Sequence, residues 1–280
     1  MTLRVRNANN APTLYVDIDG TRFAYREFGP STGVPLVFLH HFTAVLDDWD
    51  PRVIDGIASE RRVITFDNRG VGGSGGRTPT TVAAMADDAI AFIRALGLEQ
   101  VDLMGFSLGG FVSQAIATKE PQLIRKLVLA GTGPAGGAGV GAITPKLLGD
   151  TLHGLLTFKD PKRYLFFTRT PNGKAAAAAY MNRLEERTED RVSRTSVRGI
   201  AAQIVAIRRW GRQDAMDLAS IKQPVLVANG EDDRMLPTRS SFDLAHLLPN
   251  ASLRIYPDAG HGGVFQCHEL FVPQVLEFLS

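Results

Sequence analysis

Hydrophobic and polar positions change rhythm three times along the chain. Residues 14–29, LYVDIDGTRFAYREFG, alternate in two runs that meet at Asp19-Gly20. Alternation of period two on both sides of a turn pair that tolerates positive φ predicts a β-hairpin. From there to Gly131 the pattern is different: short unbroken apolar runs (PLVFLH, RVITFD, QVDLMG, RKLVLAG) stand between longer amphipathic segments such as TTVAAMADDAIAFIRALGL. Short buried strands alternating with helices predict an α/β fold, a mostly parallel sheet covered on both faces.

After Gly131 the alternation stops. TGPAGGAGVGAI reads as a flexible glycine-rich connector, and from about Pro145 to Gly211 only helical patterns follow, among them KLLGDTLHGLLTF, KAAAAAYMNRLEERT and RVSRTSVRGIAAQIVAIRRW. The five alanines from Ala175 to Ala179 favour helix rather than low complexity. Strands resume with PVLVANG and SLRIYP, and LFVPQVLEFLS closes the chain as a helix. The expected organisation is one core built from residues 1–131 and 223–280, with residues 132–222 inserted as a helical block.

Composition narrows the class. With 44% hydrophobic and 21% charged residues in 280, the chain resembles an ordinary globular protein. Lys plus Arg exceed Asp plus Glu by only two, 31 against 29, and are scattered, which argues against a nucleic-acid partner. Cys267 stands alone and cannot form an internal disulfide, and MTLRVRNANNAPTL lacks the apolar centre of a signal peptide. No stretch is long and apolar enough to span a bilayer. These features predict a cytoplasmic enzyme or binding protein with no membrane partner.

Candidate chemistry begins at GFSLG, Gly105 to Gly109, where a predicted strand passes directly into a predicted helix. In that setting GxSxG places a serine on a strained turn beside the helix N-terminus. Taken alone, the pentapeptide fits a serine N-cap equally well. A serine nucleophile needs a base, and the base an acid to orient it. VLVANGEDDRMLP ends one later strand with three acids, and SLRIYPDAGHGGVF ends the next with a histidine. Serine, acid and histidine thus follow in order at the C-terminal ends of parallel strands, where loops converge on one crevice. His40 and His41 after PLVFL could supply a base, a metal pair or loop structure. A metal site is disfavoured because adjacent side chains diverge and no third ligand is evident. His153, His246, His268 and Cys267 read as packing or surface residues.

These motifs resemble the α/β-hydrolase family over nearly the whole length. GFSLG matches its nucleophile elbow, Gly230, Asp233 and Pro237 its GxxDxxxP acid loop, GHG at Gly260 to Gly262 its histidine loop, and DNRGVGGS its DxRGxGxS turn. The inserted helices match its cap, and the closest likeness is to the branch with bacterial esterases, lactonases and cofactor-free haloperoxidases. The resemblance implies Ser107 as nucleophile, Asp233 (or its neighbour Asp232) as acid and His261 as base, with the Asp67 turn as a brace. Glu231 and Asp232 become solvated turn residues, with Arg234 pairing to one of them. The spacing from His40 to Trp49 matches the family's histidine-to-tryptophan distance, so His40 takes the brace position and His41 replaces the usual glycine. Phe42 and Leu108 N–H groups are then the oxyanion donors. His41 is expected to shape the pocket, either from left-handed backbone that keeps the family's loop path or from ordinary backbone with its ring turned to the crevice.

The function so implied is hydrolysis of a carboxylic ester of a small or medium apolar substrate through an acyl-enzyme, with no metal and no cofactor. The same triad serves lactonases, C–C bond hydrolases and perhydrolases. A cofactor-free lyase or a slow ligand receptor on this fold is the alternative of another class. Epoxide hydrolases and haloalkane dehalogenases carry aspartate where Ser107 stands. Phe158, Tyr164, Phe166 and Phe167 could line an apolar pocket or form core.

Overall fold

A computed structural model describes residues 6–142, 145–157 and 159–280, with the side chains of residues 145–147 and 155 also outside the description. Phe158 lies outside the described residues. Strands β1 (Leu14–Ile18) and β2 (Thr21–Phe28) form the N-terminal hairpin. Asp19 and Gly20 both hold positive φ, 47° and 75°, which matches the right-handed twist of the flanking strands. The sheet continues with β3 (Leu36–Leu39), β4 (Val63–Phe66), β5 (Val101–Phe106), β6 (Ile124–Ala130), β7 (Val225–Gly230) and β8 (Ala251–Tyr256). Its eight strands run in the order β1-β2-β4-β3-β5-β6-β7-β8. Only β1–β2 and β2–β4 pair antiparallel; every pairing from β4 through β8 is parallel.

The unbroken apolar strands follow from burial on both faces. Val37, Leu39 and Leu103 pack with α2 (Val82–Ala95) and α3 (Leu108–Lys119), while Leu36, Phe38 and Met104 face the opposite core. That second core takes α1 (Pro51–Ala58) and, at the chain's end, α10 (His268–Leu279). Between β6 and β7 lie α4 (Pro145–Leu156), α5 (Lys162–Leu165), α6 (Pro171–Leu184) and α7 (Val197–Arg212). The remaining helices, α8 (Arg239–Leu247) and α9 (Gly263–Gln266), flank β8.

Two expectations need correction. The glycine-rich connector is not free: Gly136 N–H donates to Trp210 O at 3.0 Å, and a Cβ on Gly141 would stand 2.6 Å from Ile207 O. Its glycines permit close approach to α7. That helix begins at Val197 rather than Arg191, because Ser196 caps it by accepting from Gly199 N–H at 3.1 Å. The residues before the cap bond to the core instead, Val192 N–H to Asp47 Oδ2 at 2.8 Å and Thr195 Oγ1 to Thr43 O at 2.7 Å. Among the described residues no helix is long and apolar enough to cross a membrane.

Candidate active site

Ser107 joins β5 to α3 at φ 56° and ψ −115°. A residue with a Cβ held there costs about 1–3 kcal/mol and persists only where its surroundings enforce it. Here the enforcement is visible. A Cβ on Gly109 would lie 1.9 Å from Leu39 O, and one on Gly105 would lie 2.4 Å from Gly109 O, so strand and helix meet only through hydrogens. Ser107 N–H donates to Ala130 O at 2.9 Å, and its carbonyl accepts from Thr132 Oγ1 at 2.9 Å. Although Ser107 occupies the N-cap position, its side chain makes no capping hydrogen bond. The plain N-cap alternative therefore lacks its defining contact.

His261 follows β8, and its Nδ1 lies 2.8 Å from Asp233 Oδ2, with both side chains buried. The other oxygen, Asp233 Oδ1, accepts from Met235 N–H at 2.8 Å and Leu236 N–H at 3.0 Å. A carboxylate fixed by two amides fixes the imidazole in turn: Nδ1 carries the proton and Nε2 presents a lone pair. That Nε2 is buried and has no hydrogen-bond partner among the described residues, so Ser107 and His261 are not bonded to each other. They are neighbours through Phe106, whose ring lies 4.9 Å from the imidazole, centroid to centroid. Glu231 and Asp232 are exposed, which separates Asp233 from its neighbours. Arg234 departs from expectation: it pairs with Asp150 in α4 and donates to Tyr164 O at 3.0 Å, reaching the inserted helices rather than the adjacent acids.

The loop after β3 supplies the other side. Trp49 Nε1–H donates to His40 Nδ1 at 2.8 Å, and His40 Nε2 faces Asp67 Oδ1 at 3.5 Å, an electrostatic contact too long for a good hydrogen bond. Asp67 itself accepts from Leu46 N–H and Gly73 N–H, each at 2.8 Å, so it braces two loops. His41 does not take left-handed backbone; Thr43 does, at φ 66°. The path change therefore falls two residues later, and Gln203 Oε1 of α7 pins it by accepting Thr43 N–H at 2.7 Å. Burial pushes the His41 imidazole down to about 3, so it is neutral. Leu108 N–H, first in its helix, has no intrahelical partner, and Phe42 N–H donates to no group among the described residues.

Of the cap aromatics that the sequence offered as pocket lining or core, one reaches the site. Phe166, 3% exposed, lies against His41, Phe106 and His261 at centroid distances of 5.1, 5.6 and 5.3 Å, and its carbonyl accepts Gly262 N–H at 2.7 Å. Tyr164 and Phe167 instead line a separate cavity of about 710 Å³ among the inserted helices. Lys162 of α5 pairs with Asp48 at 2.7 Å, and Arg183 of α6 grips Asp50 with two bonds of 2.9 and 2.6 Å. Burial opposes the Asp48 charge most strongly, but Lys162, His41 and the Val45 amide together outweigh it and hold the carboxyl at about 2. The Asp50 partnership was half legible, since Asp-Pro before an apolar run is a helix start. His153 meets Tyr164 edge-on, His246 is exposed, and burial pushes the Cys267 thiol up, so none of these approaches a catalytic arrangement. Among the described residues no group of three or more His, Cys, Asp or Glu side chains is placed to hold a metal ion.

Comparison with known proteins bears on the fold and the family. An alpha/beta hydrolase fold protein from Chitinophaga pinensis superposes with a TM-score of 0.89 at 40% identity, covering 98% of this chain and 99% of that one. The non-heme chloroperoxidase of Streptomyces lividans is 30% identical over 283 residues, 94% of this chain and 97% of its own. A protein of Agrobacterium fabrum named as the carbamate hydrolase RutD is 30% identical over 243 residues, 82% of this chain and 87% of its own. Residues 34–266 match the family described as alpha/beta hydrolase fold, and the chain belongs to that family.

Proposed function

We propose that the protein is a serine hydrolase that cleaves a carboxylic ester of a small or medium apolar substrate through an acyl-enzyme. The observation that carries this reading is Ser107 at a strained, non-capping turn beside an imidazole whose tautomer Asp233 fixes. In the first step His261 Nε2 takes the Ser107 proton as Oγ attacks the carbonyl carbon. Phe42 and Leu108 N–H groups receive the charge that develops on oxygen. Collapse of the tetrahedral adduct expels the alcohol, protonated by His261. Water then gives its proton to His261, attacks the acyl carbon and releases the acid with Ser107 restored. No metal or cofactor enters any step.

In this reading residues 132–222 act as a cap over the core, tied to the loop after β3 by Lys162–Asp48 and Arg183–Asp50. The partner is a small molecule, neither nucleic acid nor membrane. A fluorophosphonate probe should label Ser107 in peptide mapping, and a panel of activated esters and lactones of graded acyl length should be turned over. Absence of both labelling and turnover would sink the proposal. A second reading, carbamate cleavage by the same residues, is favoured by the 30% identity to the Agrobacterium protein over most of both chains. Including carbamates in the panel separates the two. A lyase or a ligand receptor on this fold would show no acyl-enzyme burst.

A further inference from the structure

His41 is a buried polar group for which the proposed reaction has no use. Its Nδ1 lies 2.8 Å from the carbonyl oxygen of Phe42. A carbonyl can only accept, so the proton sits on Nδ1 and Nε2 carries a lone pair. That Nε2 is buried, in a residue only 3% exposed, and has no partner among the described residues. An acceptor left in this state is a cost to the fold that an incoming donor removes.

Its position narrows what the donor is. The His41 ring meets Phe106 and Phe166 edge-on at 5.4 and 5.1 Å, and the same two rings flank His261 at 4.9 and 5.3 Å. His41 also directly precedes Phe42, whose N–H is one of the two proposed oxyanion donors. The unpartnered acceptor thus belongs to the end of the crevice that receives the carbonyl. Asp48 and Lys162, a charged pair close to it, satisfy each other at 2.7 Å, and burial keeps the ring neutral against the pull of Asp48.

We infer that His41 Nε2 is a substrate-recognition acceptor, and that the enzyme selects acyl groups carrying an O–H or N–H donor close to the scissile carbonyl. The inference rests on the acyl-enzyme reading above. A site with a fixed acceptor rejects the analogue lacking the donor, because binding that analogue leaves the acceptor buried and unpaired.

The test uses p-nitrophenyl 2-hydroxybutanoate and 3-hydroxybutanoate against their isosteres, the 2-methyl and 3-methyl esters. Each kcat/KM is divided by that ester's alkaline hydrolysis rate to remove intrinsic reactivity. The parent should favour at least one hydroxy ester over its isostere by about tenfold or more. His41→Phe keeps a ring without an acceptor and should bring that ratio within about twofold of unity, whereas His41→Gln, whose Oε1 accepts, should recover part of it. Fluorophosphonate labelling of Ser107 in each variant reports an intact elbow. A parent ratio near one overturns the inference even if His41→Phe fails to fold, and so does a preference that survives that substitution. A parent that is neither labelled nor active on any of the four esters fails at the acyl-enzyme reading itself.

Discussion

At the scale of single residues, Ser107 and Asp233 carry the largest expected effects. Ser107→Ala removes the nucleophile and should lower kcat by roughly four orders of magnitude or more, read in steady-state ester assays with the folded fraction checked by circular dichroism. Asp233→Asn should approach the same loss with little change in KM, because an amide donor opposite His261 Nδ1 favours the tautomer that cannot accept the serine proton. His41 makes a prediction about stability. Its folded-state pKa is about 3 against an ordinary 6.5. Below pH 6.5 the unfolded chain takes up a proton that the folded chain refuses. Stability is therefore complete above about 6.5 and falls by about 1.4 kcal/mol per pH unit on the way down to about 3. Urea midpoints at pH 7 and 4.5 should drop more for the parent than for His41→Gln; equal drops would show that His41 is not the group responsible. Ser107, Asp233 and His261 were legible as sequence because each lies in a short motif at a strand end. Phe166 was legible only as one of several aromatics that could line a pocket or form core: its contacts with His41 and His261 span more than 90 positions and follow from how the inserted helices settle.

At the scale of elements, the elbow and the joints to the inserted helices are the places where a small change should be felt. Gly109→Ala would drive a methyl group to 1.9 Å from a backbone oxygen that cannot move without displacing β3. It should destabilise by about 4 kcal/mol or more, or prevent folding, as thermal unfolding would show. Gly149→Ala is the contrasting control: nothing lies within 4 Å of the added carbon, so the exposed helical site should gain about 0.5–1 kcal/mol. Asp50→Ala removes the α1 cap and leaves Arg183 without its bidentate partner, which should cost about 3–5 kcal/mol. Periodicity revealed β1 and β2 by their alternation, and β3, β4, β5 and β7 because they are buried on both faces and therefore largely apolar. It placed α7 six residues too early, because Val192 and Thr195 gain more from bonds to the core than from another turn of helix.

For the molecule as a whole, one sheet sets the positions of all three proposed catalytic residues, each just beyond the C-terminal end of β5, β7 or β8. Prolonged chelation should leave ester turnover unchanged, since the proposed reaction moves only protons and an acyl group; loss on chelation with recovery by one divalent ion would require another mechanism. Fold class was readable because short apolar strands alternating with amphipathic helices imply a mostly parallel sheet covered on both faces. The fit of the inserted helices against the loop after β3 was not, since it depends on pairs such as Lys162–Asp48 that join distant segments. That fit leaves Ser107 7% exposed and His261 1% exposed, with Phe166 against the imidazole. If a substrate must wait for Phe166 to swing aside, it meets only the fraction of molecules in which the ring has done so. If that fraction were about one in a hundred, apparent affinity would be weaker than intrinsic affinity by the same factor, about 2.7 kcal/mol. The rate of Ser107 labelling should then level off as probe concentration rises, at a ceiling set by ring motion rather than by chemistry, and Phe166→Ala should lift that ceiling.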